Sequence, residues 1–234
     1  MQLFNGDCFE VIKSIPDKSV DLCVSDCPYR LGSKGGGIIK KRDYLDYLEE
    51  LDCCNFEPLQ FLEAIKPKMK KFYLYAFCNK TLIYDYIKFA NDNKYSFDVL
   101  CMAKTNPIPA YHNHHLSDLE YIILIKEKGT WFSNHKKMDD YRKFFITQCK
   151  RGFHPAEKPV ELLERFVRVS CPENGVILDP FMGSGSTGVA AVKNHRDFIG
   201  IELDKKYFEI AKERINEAAM LNSIAYKSTV GRSD

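Results

Sequence analysis

Two short stretches carry side chains whose types and order could do chemistry. The first, Ser25-Asp26-Cys27-Pro28-Tyr29, follows the apolar run Val20-Asp21-Leu22-Cys23-Val24 and puts an acid, a thiol and an aromatic ring at the end of what reads as a buried strand. Three readings compete there. Asp26 holds a polar substrate, Cys27 is a nucleophile, or Asp26 caps the next segment while Tyr29 packs in the core. The second stretch, residues 175–194, reads GVILDPFMGSGSTGVAAVKN. Its strand ends at Asp179, its turn passes Gly183 and Gly185, and a helix starts near Ser186. Glycines in such a turn let a ligand approach the backbone at a helix N-terminus, where free N–H groups point outward. The next apolar run ends in Glu202, an acid where a doubly wound sheet offers one to ribose hydroxyls, or a helix cap on the structural alternative.

Gly183, Gly185 and Gly188 complete a G-x-G-x-x-G spacing, so a nicotinamide dinucleotide is formally open. Asp179 argues against it. A carboxylate beside the turn repels a pyrophosphate and accepts hydrogen bonds from an amino group such as that of a methionine moiety, which favours the cationic cofactor S-adenosylmethionine.

The elements that must hold these residues follow from periodicity. Short β-branched and aromatic runs at 2–5, 20–25, 72–77, 97–103, 120–126, 176–179 and 198–203 read as seven strands. Helical periods run from Pro58 to Lys66, Lys80 to Asn91, Pro159 to Ser170, Ser186 to Asn194 and Lys205 to Leu221. This alternation predicts an α/β fold with a parallel sheet covered on both faces. In 97–126 there is no room for a helix, which predicts an antiparallel hairpin at a sheet edge. Residues 31–52, rich in Gly and Lys, read as a flexible loop, and 129–153 as a small insertion within a single domain of 1–234. The tail YKSTVGRSD reads as frayed.

Composition narrows the class. With 45% hydrophobic and 28% charged residues in 234, the chain suits one soluble globular domain. Asp7, Glu10 and Lys13 fall where an export signal needs an apolar core, and no run is long enough to span a membrane, so the expectation is a cytoplasmic protein without membrane contact. Nine cysteines without paired CxxC spacing read as reduced thiols, with neither disulfide nor zinc. His112-Asn113-His114-His115 lacks an acid or cysteine at ligand spacing and reads as a polar loop, so no metal is expected. The net charge is only +2, so a nucleic-acid partner would be met by a local basic face.

Taken in order, the motifs resemble those of the amino-methylating DNA methyltransferases of the permuted β group, in which the catalytic motif precedes the cofactor motif. The carrying stretches are DCPY at 26–29, resembling D/N/S-P-P-Y, AKTNPIP at 103–109, HPAEKP at 154–159, DPFMGSGSTG at 179–188 and GIELDKKYFEIAKERI at 200–215. The resemblance implies a Rossmann-like S-adenosylmethionine-dependent methyltransferase fold, a seven-stranded, mostly parallel sheet with one antiparallel strand. It implies cofactor contacts by Asp179, Phe181, Gly183, Ser184, Gly185, Thr187 and Glu202, with Asp26 at the same site, Lys158 and Pro159 beside the methionine end, and Asp7 and Cys8 flanking the adenine. It also implies transfer of a methyl group to N6 of adenine in double-stranded DNA at a specific sequence. Cytosine-N4 methylation shares the geometry, Asp at position 26 leaning to adenine and Ser to cytosine. Glutamine methylation of proteins uses a similar motif in the opposite order. A catalytically silent DNA-binding relic stays open because Cys27 departs from the pattern.

The chemistry explains the motif. An exocyclic amine is a poor nucleophile because its lone pair is delocalised into the ring. Acceptors fixed out of the ring plane, the Asp26 carboxylate and the Cys27 carbonyl, favour the pyramidal form that attacks. Pro28 biases Cys27 toward the extended backbone that presents that carbonyl. Tyr29 would stack on a base flipped out of the duplex. A thiolate mechanism is less consistent, because the cytosine-C5 enzymes carry Pro-Cys and this chain has Cys-Pro. For DNA phosphates the candidates are Lys136, Lys137, Arg142 and Lys143, within a locally basic segment interleaved with Tyr141, Phe144 and Phe145. So short a recognition segment leaves room for a homodimer.

Overall fold

The computed structural model describes residues 1–28, 56–107, 115–148 and 157–230. Within these, eight strands form one sheet: β1 (Gln2–Asn5), β2 (Leu22–Asp26), β3 (Tyr73–Cys78), β4 (Ser96–Lys104), β5 (Leu119–Lys126), β6 (Phe144–Thr147), β7 (Val176–Asp179) and β8 (Asp197–Glu202). Their order is β1-β8-β7-β2-β3-β5-β4-β6. Only β5 runs antiparallel to its neighbours, β3 and β4. The helices are α1 (Cys8–Ser14), α2 (Pro58–Ile65), α3 (Ile83–Asp92), α4 (Val160–Ser170), α5 (Ser186–Lys193) and α6 (Lys205–Val230). The first three pack on one face of the sheet and the last three on the other. None of the described helices is long and apolar enough to cross a membrane.

Burial explains why these runs become strands. Every residue of β3 is buried, as a central strand between two helical layers requires. Tyr75 stacks on Phe166 of α4 with ring centroids 4.1 Å apart and 4° between planes. The hydroxyls of Tyr73 and Tyr75 both lie 2.8 Å from Ser170 Oγ, which resolves two buried polar groups against one helix end. In α2, Pro58 occupies the first turn, where its missing N–H costs nothing.

All seven expected strands are present with small shifts of their ends. One shift matters, because Asp26 is the last residue of β2 and so belongs to the sheet's edge. Three expectations are corrected. There is an eighth strand, β6, inside the segment read as an insertion, and it extends the sheet beside β4 with Cys101 opposite Phe144 and Ala103 opposite Ile146. The antiparallel β4–β5 hairpin exists, yet β6 rather than the hairpin takes the edge. Phe144 and Ile146 stay exposed, so this four-residue run alternates outward apolar with inward residues and reads as a basic aromatic loop in sequence. The tail read as frayed continues α6 to Val230, because Lys205–Val230 contains no Gly or Pro to stop it. Helix α1 was not anticipated. Asp7 starts it, its side chain accepting from the Glu10 N–H at 3.1 Å. The proposed loop at 31–52 and His112 to His114 lie outside the described residues.

Among the contacts that fasten residues 129–148 to α4, the most buried centres on one acid. Asp140, buried in the 3-10 turn Met138–Tyr141, receives Arg168 Nε at 2.7 Å and Nη2 at 2.9 Å, with His135 Nε2 at 3.0 Å. Burial alone would raise its carboxyl, but the Arg168 and His135 contacts outweigh that and hold it below the ordinary range. Arg168→Met is therefore expected to destabilise the protein by about 2–3 kcal/mol at pH 7, less than the about 3–5 of a fully buried pair, because the Arg168 side chain keeps 25% of its surface exposed. A depressed carboxylate stabilises above its unfolded value and loses that contribution as pH falls. Urea midpoints of wild type and variant should accordingly converge below about pH 4.

Candidate active site

The topology itself creates a crevice. After β2 the chain moves to β3 on one side, whereas after β7 it moves to β8 on the other, so β2 and β7 flank the point where the strand order reverses. Ligands of open α/β sheets bind outside the carboxyl ends of the strands at such a point. Here Asp26 ends β2 and Asp179 ends β7, with Glu202 at the end of β8 next door and Asp7 just past β1. Four sequence-distant acids thus share one edge.

Asp179 is 3% exposed, its Oδ1 accepting from the Phe181 N–H at 3.1 Å. Burial first, then the nearby carboxylates Asp26 and Glu202, push its carboxyl up to about 7, against hydrogen bonds from Thr187 and Phe181 that lower it. Glu202 is the brace of the glycine turn. Its two oxygens accept from the Gly183 N–H at 2.9 Å and the Asp204 N–H at 2.8 Å, and burial holds it above the ordinary range.

The three glycines have different reasons. Gly183 has φ +52°, and a Cβ there would meet nothing within 4 Å, so the turn is open at this residue. Gly185 has φ +83° and starts α5, but a Cβ would lie 2.9 Å from the Ala211 Cβ, so its close approach is to α6. At Gly188 a Cβ would sit 2.3 Å from Ile215 Cδ1 and 2.8 Å from Phe198 Cε1, so this glycine also serves helix packing. The open space in the turn therefore lies at Gly183, whereas the close approach at Gly185 is to α6. Ser184 is buried and clamped, Arg214 Nη1 reaching its carbonyl at 2.6 Å and Oγ at 2.8 Å while Nη2 holds Glu157 at 2.6 Å. Thr187 is buried beneath the turn, and Phe181 packs edge-on against Phe56 at 5.5 Å.

Around Asp26 the dominant partner is Lys158. Its ammonium is 2.6 Å from Asp26 Oδ2 and 3.3 Å from Glu120 Oε2, only 7% exposed, and lies over the Phe77 ring at 5.2 Å from the centroid. Burial opposes that charge, but Asp26 and Glu120 more than compensate and keep Lys158 above the ordinary lysine range. Lys104 in turn pairs with Glu120, completing an alternating row of charges along the rim from β4 to β2. Pro159 begins α4 just beyond Lys158. Asp7 is exposed at the start of α1 and Cys8 is buried beside it.

Cys27 is 2% exposed, its Sγ 3.4 Å from Ser25 Oγ, and burial chiefly pushes its thiol up to about 12. That suits a packing residue rather than a nucleophile. Pro28 follows it half-buried, and Tyr29 lies outside the described residues. The basic candidates are all exposed, but three are already paired: Arg142 with Asp139 at 2.8 Å, Lys143 with Asp98, and Lys137 with Asp140 at 3.8 Å. Lys136 is exposed nearby.

Sequence reasoning overlooked Glu120, Glu157 and Arg214. A glutamate inside the apolar strand LEYIILIK was the available signal for the first, since an inward charge on a strand requires a partner. Nothing local marks the other two, whose partners are far away in the chain. For Cys27, iodoacetamide treatment of native protein followed by peptide mass spectrometry should leave its peptide unlabelled at pH 8, with labelling appearing only on unfolding. Ready modification in the native state would reinstate a reactive thiol.

Residues 20–213 match the family model described as DNA methylase. The chain is 30% identical to the type II methyltransferase M2.LlaDCHI of Lactococcus lactis subsp. cremoris, over 93% of this chain and 90% of the relative. It is also 30% identical to the type II methyltransferase M2.DpnII of Streptococcus pneumoniae, over 92% and 89%. Its structure resembles that of the M1.HpyAVI–SAM complex with a TM-score of 0.69 and 28% identity, covering 91% of this chain and 98% of the other. With the strand-end acids, the glycine turn and the order of the motifs all in agreement, the chain belongs to the DNA methylase family.

Proposed function

We propose that the protein transfers a methyl group from S-adenosylmethionine to N6 of adenine in double-stranded DNA. The observation that carries this reading is the juxtaposition of Asp26 and Asp179 at the switch point, which supports one acid as acceptor for a target amine and the other as partner of the cofactor's ammonium. The crevice suits that cofactor on its own evidence. Burial raises the Asp179 carboxyl to about 7, so a cationic group beside it would favour the ionised form, and the open space at Gly183 would admit a ligand against the backbone. Asp179, Phe181, Gly183 and Glu202 would hold it, with Gly185, Ser184 and Thr187 shaping the turn. S-adenosylmethionine supplies a methyl group on a cationic sulfur.

The chain's own residues supply the rest. Asp26, fixed by Lys158, accepts a hydrogen bond from the target amine and favours its pyramidal form. The Cys27 backbone, biased by Pro28, presents the second acceptor. Since a base in a duplex is unreachable, it must be extruded, and Tyr29 is the candidate stacking platform. Lys136, Lys137, Arg142 and Lys143 are the candidates for phosphate contact. Exposed ion pairs are worth only about 0–1 kcal/mol, so the pairs that engage Arg142 and Lys143 would exchange readily for phosphate. Cytosine-N4 is the second reading, because the same acceptors serve either amine. Digestion of DNA modified by the protein and mass spectrometry of the nucleosides decides between them, N6-methyladenine supporting the proposal and N4-methylcytosine replacing it.

Asp26→Asn is expected to lower methyl incorporation by about 10²–10³-fold, the loss typical of a removed electrostatic contact, while calorimetry finds S-adenosylmethionine affinity changed by less than about threefold. Equal losses in both would place Asp26 on the cofactor alone.

For Asp179 the sign follows from its raised carboxyl. An ammonium ligand requires the ionised form, so S-adenosylmethionine affinity should weaken by up to about tenfold per pH unit below about 7. Asp179→Asn should remove this dependence and most of the affinity. Because the raised group costs the ligand-free fold stability as pH climbs from about 4 to about 7, the same variant should melt a few degrees higher than wild type at pH 8. Calorimetric titrations across pH 6–7.5 and thermal melts check both.

A further inference from the structure

We propose that Glu120, on the antiparallel strand β5, is a positioning residue that sets the acceptor strength of Asp26 through Lys158. This rests on the reading of Asp26 as the acceptor for the target amine. Lys158 is nearly out of water, 7% exposed, so its charge is distributed over the groups around it rather than over solvent. Among the described residues those groups include Asp26 Oδ2 at 2.6 Å, Glu120 Oε2 at 3.3 Å and the Phe77 ring at 5.2 Å. Two carboxylates thus compete for one ammonium.

The competition has a direction. Were Glu120 uncharged, Lys158 would neutralise Asp26 more fully, draw electron density from its carboxylate and weaken it as an acceptor. With Glu120 charged, the ammonium is shared and Asp26 keeps more of its negative potential. Lys104, paired to Glu120 from β4, limits how far Lys158 is drawn away. Position reinforces this. Asp26 lies opposite Phe77 in the β2–β3 ladder, and Phe77 opposite Ile122 in the β3–β5 ladder, so Glu120 is one same-face step along β5 toward the crevice rim. The site needs β5 antiparallel for this, because only then does the beginning of that strand reach the rim where its neighbours end.

Glu120→Gln, which keeps shape and removes charge, tests the idea with amplified, unmethylated genomic DNA and labelled S-adenosylmethionine. Single-turnover methyl transfer at saturating concentrations should fall about 10–100-fold, as when outer-shell partners are lost elsewhere. Cofactor affinity by calorimetry should stay within about twofold, since Asp179, Gly183 and Glu202 are not touched. Glu120→Asp should recover most of the rate, and Glu120→Gln added to Lys158→Met should cost nothing more. An unchanged rate, a loss confined to cofactor affinity, or additive losses with Lys158→Met would overturn the proposal. Should Glu120→Gln melt markedly lower, Glu120→Asp decides: a matching fall of rate and melting temperature there makes Glu120 a folding residue only. Wild type that binds S-adenosylmethionine yet methylates no DNA would instead refute the proposed function.

Discussion

The site depends on one buried ammonium. Parallel strands ending side by side bring like charges together, and in this sheet the ends of β8, β7 and β2 carry Glu202, Asp179 and Asp26. Burial makes that arrangement costly, since neither water nor distance screens the repulsion. Glu202 is relieved by the backbone N–H groups of Gly183 and Asp204 and Asp179 by partial neutralisation, but Asp26 is held by Lys158. Removing Lys158 would leave Asp26 and Glu120 without their shared, largely buried counter-charge.

The glycine turn shows how one motif satisfies two unrelated demands. Gly183 faces open space, whereas Gly185 and Gly188 leave room for α6 and for Phe198. The turn is also held from both sides, by Glu202 at the Gly183 N–H and by Arg214 at the Ser184 carbonyl. Arg214 grips Glu157 as well, and Glu157 precedes Lys158, so the cofactor turn and the Asp26 ion pair are tied to the same two residues. A rigid frame of this kind orients reacting groups before a substrate arrives.

At the far end of the sheet, β6 converts an apparent excursion into structure. It pairs with β4, while Asp140 fastens the preceding turn to α4 through Arg168. The basic side chains therefore project from an anchored surface, and their charge is partly met by Asp98, Asp139 and Asp140.

Much was legible in the sequence because it is encoded locally. Alternating apolar runs located seven strands, and Asp26, Asp179 and Glu202 stood at the ends of three of them, since a strand's last residue is visible as the point where burial stops. The motif order pointed to the family by the same logic. What sequence did not disclose is pairing between distant residues: that Lys158 would sit on Asp26, that Glu120 would share it, and that Arg214 would hold Ser184. Nor did it separate the two uses of glycine, because φ and open space are properties of the packed neighbour rather than of the residue. Strand β6 was hidden for a related reason. An edge strand buries little of itself, and its pattern becomes a strand only when β4 supplies the hydrogen bonds. Local periodicity determined the elements and the acids they carry, and tertiary contact decided which charges compensate one another, because that depends on the distances only the closed sheet creates.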